Sequence, residues 1–409
     1  MLSQQSAATV RATLPVVGAA IGEITERFYG GMFAARPELL RDLFNRGNQA
    51  AGTQSRALAG SIAAFATYLV DHPDERPDVM LGRIAHKHAS LGIAPEQYEI
   101  VHEHLFAAIV EVLGADVVTA EVAAAWDEVY WLMAHALVAI EARLYAEHGV
   151  TPAGTFRQWR VVGRVEETPD VVTFQLRPED ETVPVPAFRP GQYVSVQVEL
   201  ADGARQIRQY SLSRAPGSPV RQISVKRVRG AAGADGTATP DGEVSRHLHA
   251  YVREGDLLRV SAPHGDLVLG DDLDDDTPVL LASAGIGVTP MMAMLEHLAA
   301  AGHRAPVTVV HADHSPARHA LRADHEAYTD KLRDAAAYFF YEHPEAGHPA
   351  ELTGRADLSR ITIPAGTRAY LCGPLPFMRA VHGQLIEGGV APRDIHYEVF
   401  GPDLWLAAA

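Results

Sequence analysis

Apolar residues recur at every third or fourth position through residues 1–149, which is the pattern of helices that bury one face. The most regular stripe ends before Gly149. Its members are Val122, Trp126, Tyr130, Met133, Leu137, Ile140 and Leu144. A second predicted helix lies between Pro95 and Gly114, and a shorter one covers residues 81–91. This pattern predicts an all-α domain over residues 1–149.

The periodicity changes after a short connector at residues 150–157. Apolar and polar side chains then alternate over short segments separated by turns, which predicts strands. The predicted strands are 161–162, 171–176, 193–198, 223–228 and 257–260. We interpret residues 155–270 as a small antiparallel β-barrel domain, with a glycine-rich surface insertion at residues 230–242.

Strands alternate with helices over residues 273–409, as in α/β domains with a parallel sheet. A predicted strand at 279–282 runs into Ala284-Gly285-Ile286-Gly287-Val288-Thr289-Pro290. We expect a helix to begin near Met291 with Thr289 as its cap. The small residues before it would let the backbone approach a dinucleotide. Further strands are predicted at 307–311, 338–341 and 369–371.

Composition narrows the range of partners. The chain has 409 residues, with 35 Lys plus Arg against 51 Asp plus Glu, giving a formal charge of −16. Such a surface repels a phosphate backbone, so we expect no nucleic acid partner. The single cysteine, Cys372, excludes intramolecular disulfides and iron–sulfur clusters and is compatible with the reducing cytoplasm, where we expect the protein to reside.

Two uncharged segments resemble targeting or membrane elements. Residues 14–21 have small and apolar residues, but their pattern continues helically, so we interpret them as part of a helix of a soluble domain. Residues 277–295 are long enough to cross a bilayer, but Gly285, Gly287 and Pro290 interrupt them. We therefore predict no transmembrane segment.

Three polar residues lie on the inward stripes of the predicted helices, where a buried polar group needs a partner. They are His88, Tyr98 and Glu141, and their side chains would satisfy one another in a helical core. His86 points to the opposite side of its helix. Spacing alone favours a core histidine over a metal ligand.

A set of local motifs in residues 1–149 resembles the globin domain of flavohaemoglobins. The motifs are Arg27-Phe28-Tyr29, Pro37-Glu38-Leu39, Phe44-Asn45, Asn48-Gln49, Ala85-His86-Lys87-His88 and Pro95-Glu96-Gln97-Tyr98. The resemblance implies that His88 is the proximal haem ligand, with Tyr98 and Glu141 hydrogen-bonded around it. It also implies a haem wedged by Phe44, with Tyr29, Gln54 and Leu58 on the distal side. Since no Cys-x-x-Cys-His occurs, the haem would be a non-covalent haem b.

The remaining chain resembles reductases of the ferredoxin-reductase superfamily. Two segments of this chain are similar to the flavin-binding strands of that superfamily. They are Arg189-Pro190-Gly191-Gln192-Tyr193 and Arg208-Gln209-Tyr210-Ser211-Leu212-Ser213-Arg214. Taken alone, the second segment also fits an ordinary strand end. The resemblance implies FAD binding by Tyr193, Arg208, Tyr210 and Ser211, and a helix starting at Gly242-Glu243-Val244-Ser245 that accepts the flavin pyrophosphate.

The nicotinamide and flavin-ring contacts are also carried over from this resemblance. NADH or NADPH would bind at Gly285, Gly287, Thr289, Pro290 and Cys372-Gly373-Pro374, with a buried inert thiol as the alternative for Cys372. In the closing motif His396-Tyr397-Glu398-Val399-Phe400-Gly401-Pro402, Phe400 would stack on the flavin ring with Glu398 nearby.

The resemblance covers nearly the whole chain and implies a nitric oxide dioxygenase. In that family electrons pass from NAD(P)H through FAD to haem, and dioxygen at the haem converts nitric oxide to nitrate. We expect a monomer whose partners are these small molecules. Two alternatives stay open: a haem-based gas sensor or oxygen carrier with a reductase, and a flavin reductase that serves an external acceptor.

Overall fold

A computed structural model describes residues 2–75, 77–230, 240–270, 272–344 and 351–402. Residues 231–239 of the predicted insertion lie outside the described residues. The described part of residues 2–149 is helical. Its helices are α1 Gln4–Ala35, α2 Pro37–Asp42, α3 Arg46–Ala50, α4 Thr53–Asp71, α5 Asp78–Leu91, α6 Glu96–Leu113 and α7 Ala120–His148.

The longest predicted helices of this domain are confirmed. Thr119 caps α7 by accepting a hydrogen bond from the Val122 amide at 3.3 Å, and Gly149, at φ 63°, ends it in a left-handed conformation. One face of α1 packs against α4, α6 and α7, with Phe28 and Met32 in their common core. By length and composition alone, α1 is the one helix of the described residues that could cross a membrane.

Residues 156–261 form the predicted antiparallel barrel. Its strands are β1 Phe156–Thr168, β2 Val171–Pro178, β3 Tyr193–Glu199, β4 Arg205–Ser211, β5 Arg221–Lys226 and β6 Leu257–Ser261. The order is β4-β3-β6-β1-β2-β5, and a bridge between Leu212 and Ile223 joins the two edges. Helix α8 Glu243–Tyr251 covers the barrel and begins where the sequence predicted.

The third domain is a parallel sheet with helices on both faces. Its strands are β7 Val279–Ala284, β8 Val307–Asp313, β9 Ala335–Tyr341, β10 Glu351–Thr353, β11 Arg368–Cys372 and β12 Ile395–Glu398, and its helices are α9 Val288–Ala301, α10 Arg322–Lys331 and α11 Leu375–Glu387. The strand order is β10-β9-β8-β7-β11-β12. Strands β8 to β10 are added on one side of β7, and β11 and β12 are added on its other side, so the strand order reverses at β7. Ligands of such sheets bind at this switch point, beyond the carboxyl ends of the strands.

The predicted start of the dinucleotide helix is wrong. The chain forms a 3-10 turn at Gly285–Gly287 that leads directly into α9, so the helix begins at Val288. Thr289 therefore lies inside the first turn, and its hydroxyl donates to the Ile286 carbonyl at 3.0 Å. It does not cap the helix.

Candidate functional site

A hydrogen-bonded triad forms beneath one face of α5. The Nδ1 atom of His88 lies 2.9 Å from Glu141 Oε1, and the Tyr98 hydroxyl donates to the same oxygen at 2.6 Å. Glu141 is only 2% exposed, so its carboxylate depends on these donors. Burial and the charge of Glu141 raise the pKa of Tyr98, which keeps the phenol protonated as a donor. The triad therefore fixes the proton of His88 on Nδ1 and leaves Nε2 as a lone-pair donor.

The surroundings of His88 fit a haem. Its side chain is 32% exposed, whereas Ala85 and Ala89 on the same helix are 0% exposed, so the imidazole faces an opening in an otherwise closed core. His86 lies on the other side of α5, where its Nδ1 accepts from the Gly265 amide at 3.2 Å. Of the two histidines, His88 is placed to hold an iron.

The predicted distal residues lie in the same helical core. Tyr29 is 6% exposed, and its ring centroid lies 5.9 Å from that of Phe44. Burial raises the pKa of Tyr29, and the nearby amide side chains of Gln54 and Gln49 oppose that shift. Leu58 packs partly buried against the same core. This region combines apolar side chains with a protonated phenol. Haem pockets that bind dioxygen commonly have both features on their distal side.

Strand β4, which the sequence predicts to bind the flavin, presents polar groups that have no hydrogen-bond partner in the described part of the chain. The Tyr210 hydroxyl and Ser211 Oγ are buried, and neither has a hydrogen-bond partner among the described residues. Arg208 bonds through Nη1 to two uncharged acceptors, Gln206 Oε1 at 3.1 Å and the Ile207 carbonyl at 2.7 Å. Tyr193 lies opposite Ser211 in the β3–β4 register. Buried hydroxyls beside a guanidinium fit a phosphorylated, polar ligand such as a flavin dinucleotide.

The glycine loop forms a cradle at the switch point of the parallel sheet. A Cβ at Gly287 would lie 2.2 Å from the Cys372 carbonyl oxygen, so only glycine lets the loop lie against β11. Gly285 has φ 53°, Pro290 is buried at the start of α9, and Gly373-Pro374 follows β11. This close approach fits dinucleotide binding.

Cys372 is a buried thiol in this structure. It is 0% exposed, and burial raises its pKa well above the ordinary range of a thiol. Its β11 register partner is Glu398, at the end of β12. Phe400 follows and is 45% exposed, so its ring is accessible for stacking. The backbone at Cys372, rather than its sulfur, lines the cradle.

Helix α5 brings the helical domain against both reductase domains. The Lys87 ammonium donates to Gln209 Oε1 of the flavin strand, and the Ser90 and Ser195 hydroxyls lie 2.9 Å apart. Burial lowers the pKa of Lys87 to about 8. Lys87 is the residue before His88 in the sequence. The helix that carries His88 therefore contacts the predicted flavin strand directly.

Three further contacts, all made by Arg83, hold α5 in place. Arg83 Nε lies 3.3 Å from Asp266 Oδ2, and Arg83 Nη2 donates to the Tyr397 carbonyl at 3.1 Å. The guanidinium also lies 4.4 Å from the centroid of the Tyr397 ring.

Sequence reasoning did not assign a role to Lys87, Gln209 or Gln49, although all three lie inside the motifs that carried the resemblance.

Comparison with known proteins agrees with this arrangement. Residues 26–137 match the globin family, and residues 281–383 match the oxidoreductase NAD-binding domain family. The chain is 40% identical over 412 residues to a flavohemoprotein of Bacillus thuringiensis subsp. konkukian, covering 98% of this chain and 99% of that protein. It is 41% identical over 415 residues to a flavohemoprotein of Bordetella pertussis, with the same two shares.

The chain belongs to the flavohaemoprotein family. A solved flavohemoglobin of Malassezia yamatoensis, with bound FAD and haem, superimposes with a TM-score of 0.87 at 37% identity and covers 98% of this chain and 100% of its own. The FAD/NAD-binding domain of a Vibrio cholerae nitric oxide dioxygenase covers 60% of this flavohaemoprotein and 99% of itself, at 35% identity and a TM-score of 0.53. The protein is a haem- and flavin-containing NAD(P)H oxidoreductase with FAD as its flavin.

Proposed function

We propose that this flavohaemoprotein is a nitric oxide dioxygenase that uses NAD(P)H and dioxygen to convert nitric oxide to nitrate. The observation that carries the proposal is the His88–Glu141–Tyr98 triad, whose helix contacts the flavin strand through the residue next to His88. The bound cofactors supply hydride acceptance, single-electron release and dioxygen activation.

The triad favours an oxygen-activating enzyme over a reversible carrier or sensor. Glu141 accepts from the Nδ1 proton of His88 and gives the imidazole more anionic character, which makes Nε2 a stronger electron donor to iron. Tyr98 holds the carboxylate in place. Stronger proximal donation favours oxygen chemistry over simple reversible binding.

The deciding experiment measures nitrate formation and NADH consumption after nitric oxide is added to the full chain under air. A dioxygenase sustains both over many turnovers, and nitrate accumulates in proportion to the nitric oxide supplied. A carrier or sensor keeps its haem reduced without sustained nitrate formation. A flavin reductase with a structural helical domain has no Soret band, so an absorbance spectrum separates that alternative first.

Tyr29→Phe is expected to speed dioxygen dissociation by about ten- to a hundredfold and to lower nitric oxide turnover. The substitution keeps the buried ring and removes one donor to the negative charge on dioxygen, and a hydrogen bond to a charged acceptor is worth roughly 1.5–3 kcal/mol. Stopped-flow dissociation rates test this. Haem content and flavin reduction by NADH should not change.

Tyr145→Phe is the matched control for this substitution. Tyr145 is also 6% exposed in the same core, but its hydroxyl donates to the Ile93 carbonyl at 2.8 Å. The Tyr145→Phe substitution should leave the rate of dioxygen dissociation unchanged. Equal rates in Tyr29→Phe and the unmodified protein would mean that the Tyr29 hydroxyl does not donate to bound dioxygen.

NADH is expected to be preferred over NADPH by about tenfold in kcat/KM, or about 1.4 kcal/mol. Asp313, at the end of β8, would repel a 2′-phosphate. The nearby arginines are engaged elsewhere: Arg318 Nη1 lies 2.9 Å from Asp170 Oδ2, and Arg322 Nε donates to Glu326 Oε1 at 3.0 Å. Asp313→Asn should narrow the preference. Comparable kcat/KM values for the two nucleotides in the unmodified enzyme would refute this role for Asp313.

We also propose a cytoplasmic monomer without a transmembrane segment. The apolar residues Val10, Val17 and Ile24 of α1 are buried in the core of the helical domain, so that face of α1 already has a protein partner. The chain has a single cysteine, and its thiol is free and buried, which suits a protein in a reducing compartment.

A further inference from the structure

An ion-pair network links the globin domain to the start of α8. Arg46, the first residue of α3, donates through Nη2 to Glu243 Oε1 at 2.7 Å and through Nε to Glu243 Oε2 at 3.2 Å. Its remaining arm, Nη1, donates to Asp202 Oδ2 at 2.7 Å. A single globin side chain therefore occupies both oxygens of a carboxylate in the barrel domain.

The position of Glu243 makes this contact consequential for the flavin. Glu243 is the first residue of α8, whose N-terminus is an element suited to an anionic diphosphate. Its Oε2 also lies 4.0 Å from Arg208 Nη2 on the flavin strand. An unneutralised carboxylate there would repel the diphosphate and draw Arg208 into an ion pair.

Arg46 reduces this competition. With both oxygens of Glu243 held by the Arg46 fork, Arg208 approaches Glu243 no closer than 4.0 Å through Nη2, and among the described residues its Nη1 atom bonds to two uncharged acceptors. The Arg46 and Glu243 side chains are 27% and 34% exposed, so solvent screens the pair only partly.

The segment that carries Arg46 is itself fixed to the flavin strand. Gln206 on β4 is 0% exposed, and its Nε2 donates to the carbonyls of Leu40, Arg41 and Phe44 at 3.3, 2.9 and 3.1 Å. The Arg46 amide approaches Gln206 Oε1 at 3.4 Å. The guanidinium is thus held beside α8 by the backbone as well as by its own ion pairs.

We propose that Arg46 is a positioning residue for the flavin: the globin domain neutralises Glu243 and so keeps Arg208 available to the FAD diphosphate. The flavin site is then complete only when the globin is docked. This inference concerns FAD retention and does not depend on the nitric oxide reaction.

The test is a titration of FAD-depleted, full-length protein with FAD and, separately, with riboflavin, followed by flavin fluorescence. Arg46→Gln should weaken FAD binding by about tenfold, or about 1.4 kcal/mol. Its riboflavin affinity should not change, because riboflavin lacks the diphosphate. In the Glu243→Gln background the same Arg46→Gln change should have no effect on FAD affinity.

Arg41→Gln is the matched control. It removes the same charge from the same segment, but the Arg41 guanidinium pairs with Asp42 at 2.6 Å, so FAD affinity should be retained. Arg46→Lys, which keeps the charge, should restore most of the affinity. Equal losses for FAD and riboflavin, equal losses in both Glu243 backgrounds, or no loss in Arg46→Gln would each overturn the proposal. Soret absorbance checks that the globin domain stays intact.

Discussion

His88→Ala is expected to abolish tight haem binding and nitric oxide turnover, whereas His86→Ala keeps the haem. The Nδ1 atom of His88 is engaged with Glu141, so its Nε2 is free to bind iron, while His86 accepts a hydrogen bond from the barrel domain through Nδ1. A haem protein with one protein ligand on its proximal side loses most of its affinity when that ligand is removed. The measurement is the haem-to-protein ratio from Soret absorbance after gel filtration.

Two controls separate ligand loss from unfolding in this experiment. Removing His88 leaves the buried Glu141 with Tyr98 as its donor, at a cost of about 1–3 kcal/mol in stability. FAD content and NADH oxidation with an artificial acceptor therefore report whether the rest of the chain remains folded. Added imidazole should restore part of the Soret band. Stoichiometric haem in His88→Ala without imidazole would refute the ligand assignment.

Dividing the chain is expected to divide the reaction. Residues 1–149 should bind haem and dioxygen but stop after one turnover, because their supply of electrons is gone. Residues 155–409 should oxidise NADH with artificial acceptors when FAD is supplied in excess. Separation breaks the Lys87–Gln209 and Ser90–Ser195 contacts that hold the helical domain against the flavin strand.

The measurement is nitric oxide consumption by each fragment, by the two fragments mixed, and by the full chain. Mixing should recover little activity at micromolar concentration, since the linked domains act at a much higher effective concentration. Sustained NADH-driven consumption by residues 1–149 alone would show that the proposed electron route is wrong.

Elements with a strong local pattern could be predicted from the sequence. The stripe from Val122 to Leu144 and the glycine that follows it determined α7, because helix periodicity and a left-handed glycine cap are local properties. Short elements were not predicted: β10 has only three residues, and β12 has four. Strands of that length pair through their neighbours in the sheet and carry little pattern of their own.

The candidate site shows the same division between local and distant information. Helical spacing placed His88 on an inward face, but its partner Glu141 is 53 residues away, so spacing alone could not decide between core residue and metal ligand. Arg46 and Glu243 are 197 residues apart, so no local sequence pattern indicates that they form an ion pair. Thr289 was misassigned as a cap because the tight turn before α9 depends on the close approach of Gly287 to β11.

Helix α5 has consequences for the design of chimeric proteins. Along its 14 residues it carries His88, the predicted iron ligand. It also carries Arg83, His86, Lys87 and Ser90, whose side chains contact the barrel domain, and Arg83 reaches the closing strand of the nucleotide domain as well. An oxygen-binding domain grafted from another protein would bring a helix whose outer face matches none of these partners. A functional graft would therefore have to transplant the outer face of α5 along with the reductase, so the boundary between the exchangeable parts runs through this helix and not through the connector after Gly149.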